Sequence, residues 1–227
     1  MTSPHDLWVF AYGSLMWRPG FAFEEVEPAR LTGYRRCFCI FSVHHRGTPQ
    51  RPGMVLGLDR GGACRGIAYR VAAARAAETR RYLREREQVK GVYRDVQAPV
   101  ELIGASRREV SALTFVAERA HPNYAGPLPV STQARLIRAA KGISGANLDY
   151  LVNTLRHLND LGIRERELER LLAMVGPQPA GRAGGEGISA TAAALVAAAR
   201  SQPLPLRTLG LDARRRFLYR LRLDGGL

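Results

Sequence analysis

The hydrophobic and polar positions divide the chain into a strand-rich first half and a helix-rich second half. LWVFAY, residues 7–12, is a short apolar run and predicts a strand. ARLTGYRRCFCIFSV, residues 29–43, alternates in its middle and predicts a long one. GMVLGLD (53–59) and CRGIAYRV (64–71), each bounded by glycine or proline, predict two more. AAARAAETRRYLREREQV (72–89) consists of strong helix formers and predicts a helix. YRDVQAPVELI (93–103) and VSALTFVAE (110–118) return to strand character. Three further helices are expected over 131–142, with Ser131 or Thr132 as cap, over 144–162 and over 164–176. In GISGANLDYL, the second glycine and Asn147 precede a helix, as capping requires. The order of strands, helix, strands, then helices is an α+β pattern on a mainly antiparallel or mixed sheet, not a repeating βαβ wind.

Composition changes at Gly176. Residues 1–176 read as one domain, 177–187 (PQPAGRAGGEG) as a Gly/Pro-rich linker, and 188–227 as a C-terminal extension. The extension combines an Ala-rich stretch capped by Ser189 with a basic end, RRRFLYRLRL. No apolar run approaches the roughly 18 residues of a membrane helix. The start, MTSPHDLW, lacks the basic and apolar regions of a secretory leader, so cytoplasm is the expected location and no membrane is expected as partner. Cys37, Cys39 and Cys64 are too few and too irregular for a disulfide framework. They offer no ligand spacing for zinc, and no metal is expected.

The net charge of +14 raises a nucleic-acid reading. Only Lys90 and Lys141 are lysines, so arginine is the general surface cation here. No nucleic-acid-binding signature accompanies the charge, and an anionic small substrate uses positive potential equally well. GxSxG, Walker A, GxGxxG and HExxH are all absent, which removes the commoner hydrolase, nucleotide-binding and zinc-protease classes.

Three places hold candidate chemistry. The strand at residues 7–12 stops at Tyr12-Gly13-Ser14-Leu15, which is either a plain turn or a backbone cradle whose N–H groups hold an anion. On the helix over 72–89, Ala76, Leu83 and Glu87 share one stripe, while Glu85 lies about 200° from Glu87 and faces solvent. Glu87 is therefore a carboxylate on the core side: either a structural ion pair or, with its pKa raised by burial, a general acid/base. The polar loops SVHHRGTPQRPGMV and HPNYAGPLP offer Arg46 for a carboxylate and Tyr124 as a lining residue or a brace.

VFAYGSLMWRPGF, GYRRCF, HHRGTPQRPG, CRGIAYRV, YLREREQVKGVY, HPNYAGPLP and GISGANLDYL follow one another between Trp8 and Leu151. Together they resemble the ChaC-type γ-glutamylcyclotransferases that act on glutathione. The resemblance implies a mixed α/β γ-glutamylcyclotransferase-like fold, a small curved barrel-like sheet with flanking helices. It implies a lyase reaction in which a γ-glutamyl amine attacks its own γ-carbonyl, releasing 5-oxoproline and, from glutathione, Cys-Gly, with no cofactor. Glu87 matches the family's catalytic glutamate in YLxxREx. Tyr12, Gly13, Ser14 and Leu15 match its substrate loop, and Tyr124 matches a position lining the substrate site. Arg46 is a further candidate for a substrate carboxylate. Two other readings stand beside this one: a cyclotransferase for another γ-glutamyl amide or amine, and a non-catalytic basic module for a polyanion.

Overall fold

The structure, a computed structural model, describes residues 6–87, 91–104 and 107–176. The predicted linker and extension lie outside them, as do residues 88–90 within the YLREREQVKGVY motif. The described chain falls into two compact units, one of residues 6–37 and 56–124, the other of 38–55 and 125–176.

Five strands close a barrel: β1 Leu7–Ala11, β2 Glu25–Ser42, β3 Gly53–Val71, β4 Tyr93–Leu102 and β5 Arg108–Ala117, in the order β1-β3-β2-β4-β5. β1 pairs antiparallel with β3, from Leu7↔Val71 to Ala11↔Ile67, and parallel with β5 at Val9↔Leu113. β4 pairs antiparallel with β2 and β5. The sheet is thus mixed, as the element order requires. Alternate residues fill its inside: Trp8 and Phe10 of β1, Ala98, Val100 and Leu102 of β4, and Ala112 and Val116 of β5 join Leu31, Leu58 and Ala68 in one buried cluster. This period of two is what strand geometry demands of a face turned to a core.

The two strands expected at 53–59 and 64–71 are one. Gly61 and Gly62 take positive φ, 100° and 70°, and bend β3 without ending it. Glycine tolerates this conformation, so a pair that reads as a breaker in sequence stands here inside a continuous strand. The helix α1 covers Ala73–Glu87, with Thr79 and Leu83 buried. Asp6, just before β1, accepts the N–H of Ala73 at 3.1 Å and pairs with Arg70 at 2.8 Å, tying the helix start to the barrel.

In the second unit, α2 Val130–Ala139, α3 Asn147–Asp160 and α4 Arg166–Val175 pack together. Leu168, Leu171, Leu172 and Val175 form the i, i+3, i+4, i+7 stripe of α4. Arg138 donates to the carbonyls of Met174 and Val175 at 2.5 and 3.1 Å, serving the otherwise unpaired end of that helix.

Two capping expectations are corrected. Helix α2 begins at Val130 after Pro129, with no side-chain cap, so Ser131 and Thr132 lie inside it. Asn147 does not cap α3 either. It is the first helical residue and fully buried, and its amide accepts the N–H of Met54 at 2.6 Å and donates to the carbonyl of Met54 at 2.7 Å. Between the two helices stands a hairpin not foreseen from sequence, β6 Lys141–Gly142 and β7 Gly145–Ala146. No helix of the described residues is long and apolar enough to cross a membrane.

Candidate active site

β1 ends at Ala11, and the chain turns at once into a single 3-10 turn, Ser14–Met16. Met16 N–H bonds Gly13 O at 2.9 Å, which closes the turn. A turn of this kind leaves its first N–H groups, those of Ser14 and Leu15, without a helical acceptor. Gly13 is open: a Cβ built on it would meet no atom within 4 Å.

Two buried side chains hold this loop from below. Tyr69, on β3, donates to the carbonyls of Met16 at 2.9 Å and Leu15 at 3.2 Å. Its phenol pKa is pushed up by burial, so it remains a donor throughout. Phe21 and Phe23 pack on its ring at centroid distances of 5.5 and 4.8 Å. Arg36, 3% exposed, donates through Nε to Tyr12 O and through Nη2 to Arg65 O, both at 2.6 Å. A cation here fixes backbone rather than facing solvent. Sequence reasoning missed it, although the signal was present: Arg36 has the same parity in β2 as the buried Phe38 and Ile40.

Glu87 is the last residue of α1. Its side chain is 20% exposed, whereas Glu85 is exposed and Leu83 fully buried. The helix thus presents the two glutamates as its period requires. Burial pushes the Glu87 carboxyl above its ordinary 4.5, and the neighbouring Arg86 guanidinium opposes that rise.

Arg86 joins the helix end to the loop. Its Nε stands 3.2 Å from Glu87 Oε1, its Nη2 donates to Ser14 Oγ at 3.1 Å, and its Nη1 donates to Arg18 O at 2.6 Å and Tyr82 Oη at 3.0 Å. The sequence reading passed over this residue as one arginine among many. Only the folded loop brings Ser14 to it.

The structure therefore connects five of the predicted residues, Tyr12 to Leu15 and Glu87, through Arg36, Tyr69 and Arg86, all in the first unit. Tyr124 belongs to the same unit, and its hydroxyl donates to the buried Asp59 at 3.1 Å. Arg46 belongs to the second unit. There it donates to Ser144 O at 2.6 Å and Ala146 O at 3.3 Å and lies 5.3 Å from the centroid of the Tyr150 ring. Among the described residues no three His, Cys, Asp or Glu side chains group as metal ligands would. No disulfide joins Cys37, Cys39 and Cys64.

Comparison with known proteins identifies the family. Mouse glutathione-specific gamma-glutamylcyclotransferase 1 is 35% identical over 177 residues, covering 76% of this chain and 79% of its own. The glutathione-specific gamma-glutamylcyclotransferase of Escherichia coli K12 is 35% identical over 169 residues, covering 74% and 72%. The crystal structure of a glutathione-specific gamma-glutamyl cyclotransferase from yeast superposes with a TM-score of 0.65 at 23% identity, over 75% of this chain and 97% of that one, which establishes the shared fold. The family model described as ChaC-like protein matches residues 7–178, and the chain belongs to that family.

Proposed function

We propose that the protein is a γ-glutamylcyclotransferase that cleaves glutathione to 5-oxoproline and Cys-Gly. The observation that carries this reading is the half-buried Glu87, its pKa raised, joined through Arg86 to an open backbone turn. The specificity printed in the names of the mouse and Escherichia coli relatives supports glutathione as the substrate.

The chemistry follows from those parts. The substrate α-amine is mostly protonated near neutral pH. Glu87 takes that proton and leaves the nitrogen lone pair free to attack the γ-carbonyl carbon. A five-membered lactam closes, the amide C–N bond breaks, and Glu87 returns the proton to the departing nitrogen. No water is consumed, and atoms and charge balance within one substrate molecule. A base with a raised pKa suits this double transfer, typically worth about 10²–10⁴ in rate. The N–H groups of Ser14 and Leu15 face either the oxyanion formed on attack or the α-carboxylate of the γ-glutamyl group. A single oxyanion donor is worth roughly 3 kcal/mol. Nucleophile and electrophile share one molecule, so the rest of the task is to fold the substrate into its cyclising conformer.

The test is incubation of the purified full chain with glutathione and measurement of 5-oxoproline and Cys-Gly, beside the Glu87→Gln variant. Product that disappears in the variant supports both reaction and base. Product from other γ-glutamyl compounds but not from glutathione keeps the reaction and moves the substrate. No product from any of them overturns the reading.

A further inference from the structure

One end of the barrel gathers more than the turn and the glutamate. β1 runs parallel to β5, and β4 antiparallel to it, so the end of β1, the end of β5 and the start of β4 lie together. Glu87 closes α1 shortly before β4 begins at Tyr93, and Arg84 in the same helical turn pairs with Asp95 at 3.0 Å. The last turn of α1 is therefore anchored at that same end.

A cavity of about 50 Å³ opens there. Its lining includes Leu58 and Val116, members of the barrel's apolar cluster, against which Tyr12 also packs. Its walls carry Arg60, Arg94 and Arg119 against Asp59 and Glu118. Three arginines and two acids among the lining residues make its formal charge positive. Asp59 is held by Arg119 at 2.7 Å and by the Tyr124 hydroxyl, and Glu118 stands 3.7 Å from Arg94. Arg60 is exposed, and its side chain makes no hydrogen bond or ion pair with any described residue. The space holds a few water-sized groups, enough for a carboxylate.

We propose that this cavity receives the carboxylate at the far end of the leaving amine, with Arg60 and Arg94 as its contacts. In glutathione this is the glycine carboxylate. The inference rests on the cyclotransferase reading and adds to it the residues that recognise the carboxylate of the leaving amine.

The test compares glutathione with its glycyl ethyl ester as substrates of the full chain and of Arg60→Gln and Arg94→Gln. Arg60 is exposed, so its replacement leaves the fold in place. The unmodified protein is expected to show a KM about tenfold lower for glutathione than for the ester, the scale of one hydrogen bond to a charged group. Each variant should raise KM for glutathione and shrink that preference, with the loss in KM rather than kcat. Equal KM for the two substrates in the unmodified protein, or a preference that survives both substitutions, overturns the inference and leaves the cyclotransferase reading standing. No 5-oxoproline from either substrate overturns both.

Discussion

Arg86 donates to Ser14 Oγ at 3.1 Å through one terminal nitrogen and stands 3.2 Å from Glu87 Oε1 through Nε. One guanidinium thus sets both the position of the turn and the charge beside the carboxylate. Lysine can supply the charge but not the fork. In Arg86→Gln, Glu87 loses the cation that opposes its raised pKa, so the acidic limb of kcat/KM against pH moves to higher pH. In Arg86→Lys the limb stays near its original position, while the plateau falls because Ser14, Arg18 O and Tyr82 lose their shared donor. A limb that does not move in the Gln variant would remove Glu87 as the titrating group.

Glu87 itself predicts opposite effects on activity and stability. Its folded pKa is raised, so the folded state binds its proton more tightly than the unfolded state does. The stabilisation by that proton is complete below about 4.5 and is lost as pH rises through the folded pKa. At neutral pH the ionised carboxylate therefore costs stability. Glu87→Gln is expected to cut turnover by about 10²–10⁴ while its Tm at pH 7 equals or exceeds that of the unmodified protein. The difference in Tm should shrink toward pH 4.5. Thermal melts across that range check the sign.

The sequence made part of this legible. Helical periodicity separated Glu87 from Glu85 because the core side of α1 is marked by Leu83. A short apolar run marked β1, every residue of which is buried, and alternation marked the middle of β2. Other features depend on partners distant in sequence and leave no local pattern. Asn147 beside a helix start has the chemistry of a cap, yet its amide is consumed by Met54 across 93 positions. Gly61 and Gly62 carry the signal of a turn, yet β3 runs on through both of them. Arg86 becomes informative only when folding brings Ser14 to it, across 72 positions.

Tyr69 tests whether the turn must be held from beneath. Tyr69→Phe keeps the ring contacts with Phe21 and Phe23 and removes one buried donor, leaving the carbonyls of Leu15 and Met16 without it. The expected cost is about 1–2 kcal/mol, a Tm lower by roughly 2–8 °C for a chain of this size. Because the loss falls on the turn, KM for glutathione should rise as well. Phe with full stability and unchanged KM would mean that the turn keeps its shape without this donor.

Two glycines close together in the fold separate a binding surface from a packing constraint. At Gly66, an added Cβ would collide with the carbonyl oxygen of Ala11 and the ring of Phe10, because β1 lies directly alongside. Gly66→Ala is expected to destabilise by about 1–3 kcal/mol, the usual cost of overpacking, with substrate affinity changed little in the molecules that remain folded. At Gly13, the same methyl group meets no atom of the chain within 4 Å and projects into open space at the turn. Gly13→Ala should therefore keep a Tm close to the original and raise KM for glutathione, because the methyl occupies room the substrate needs. Melting curves and kinetics on the two variants together decide the matter. A Gly13→Ala protein that melts as early as Gly66→Ala, with KM intact, would make the Tyr12–Leu15 segment a structural turn and not a substrate surface.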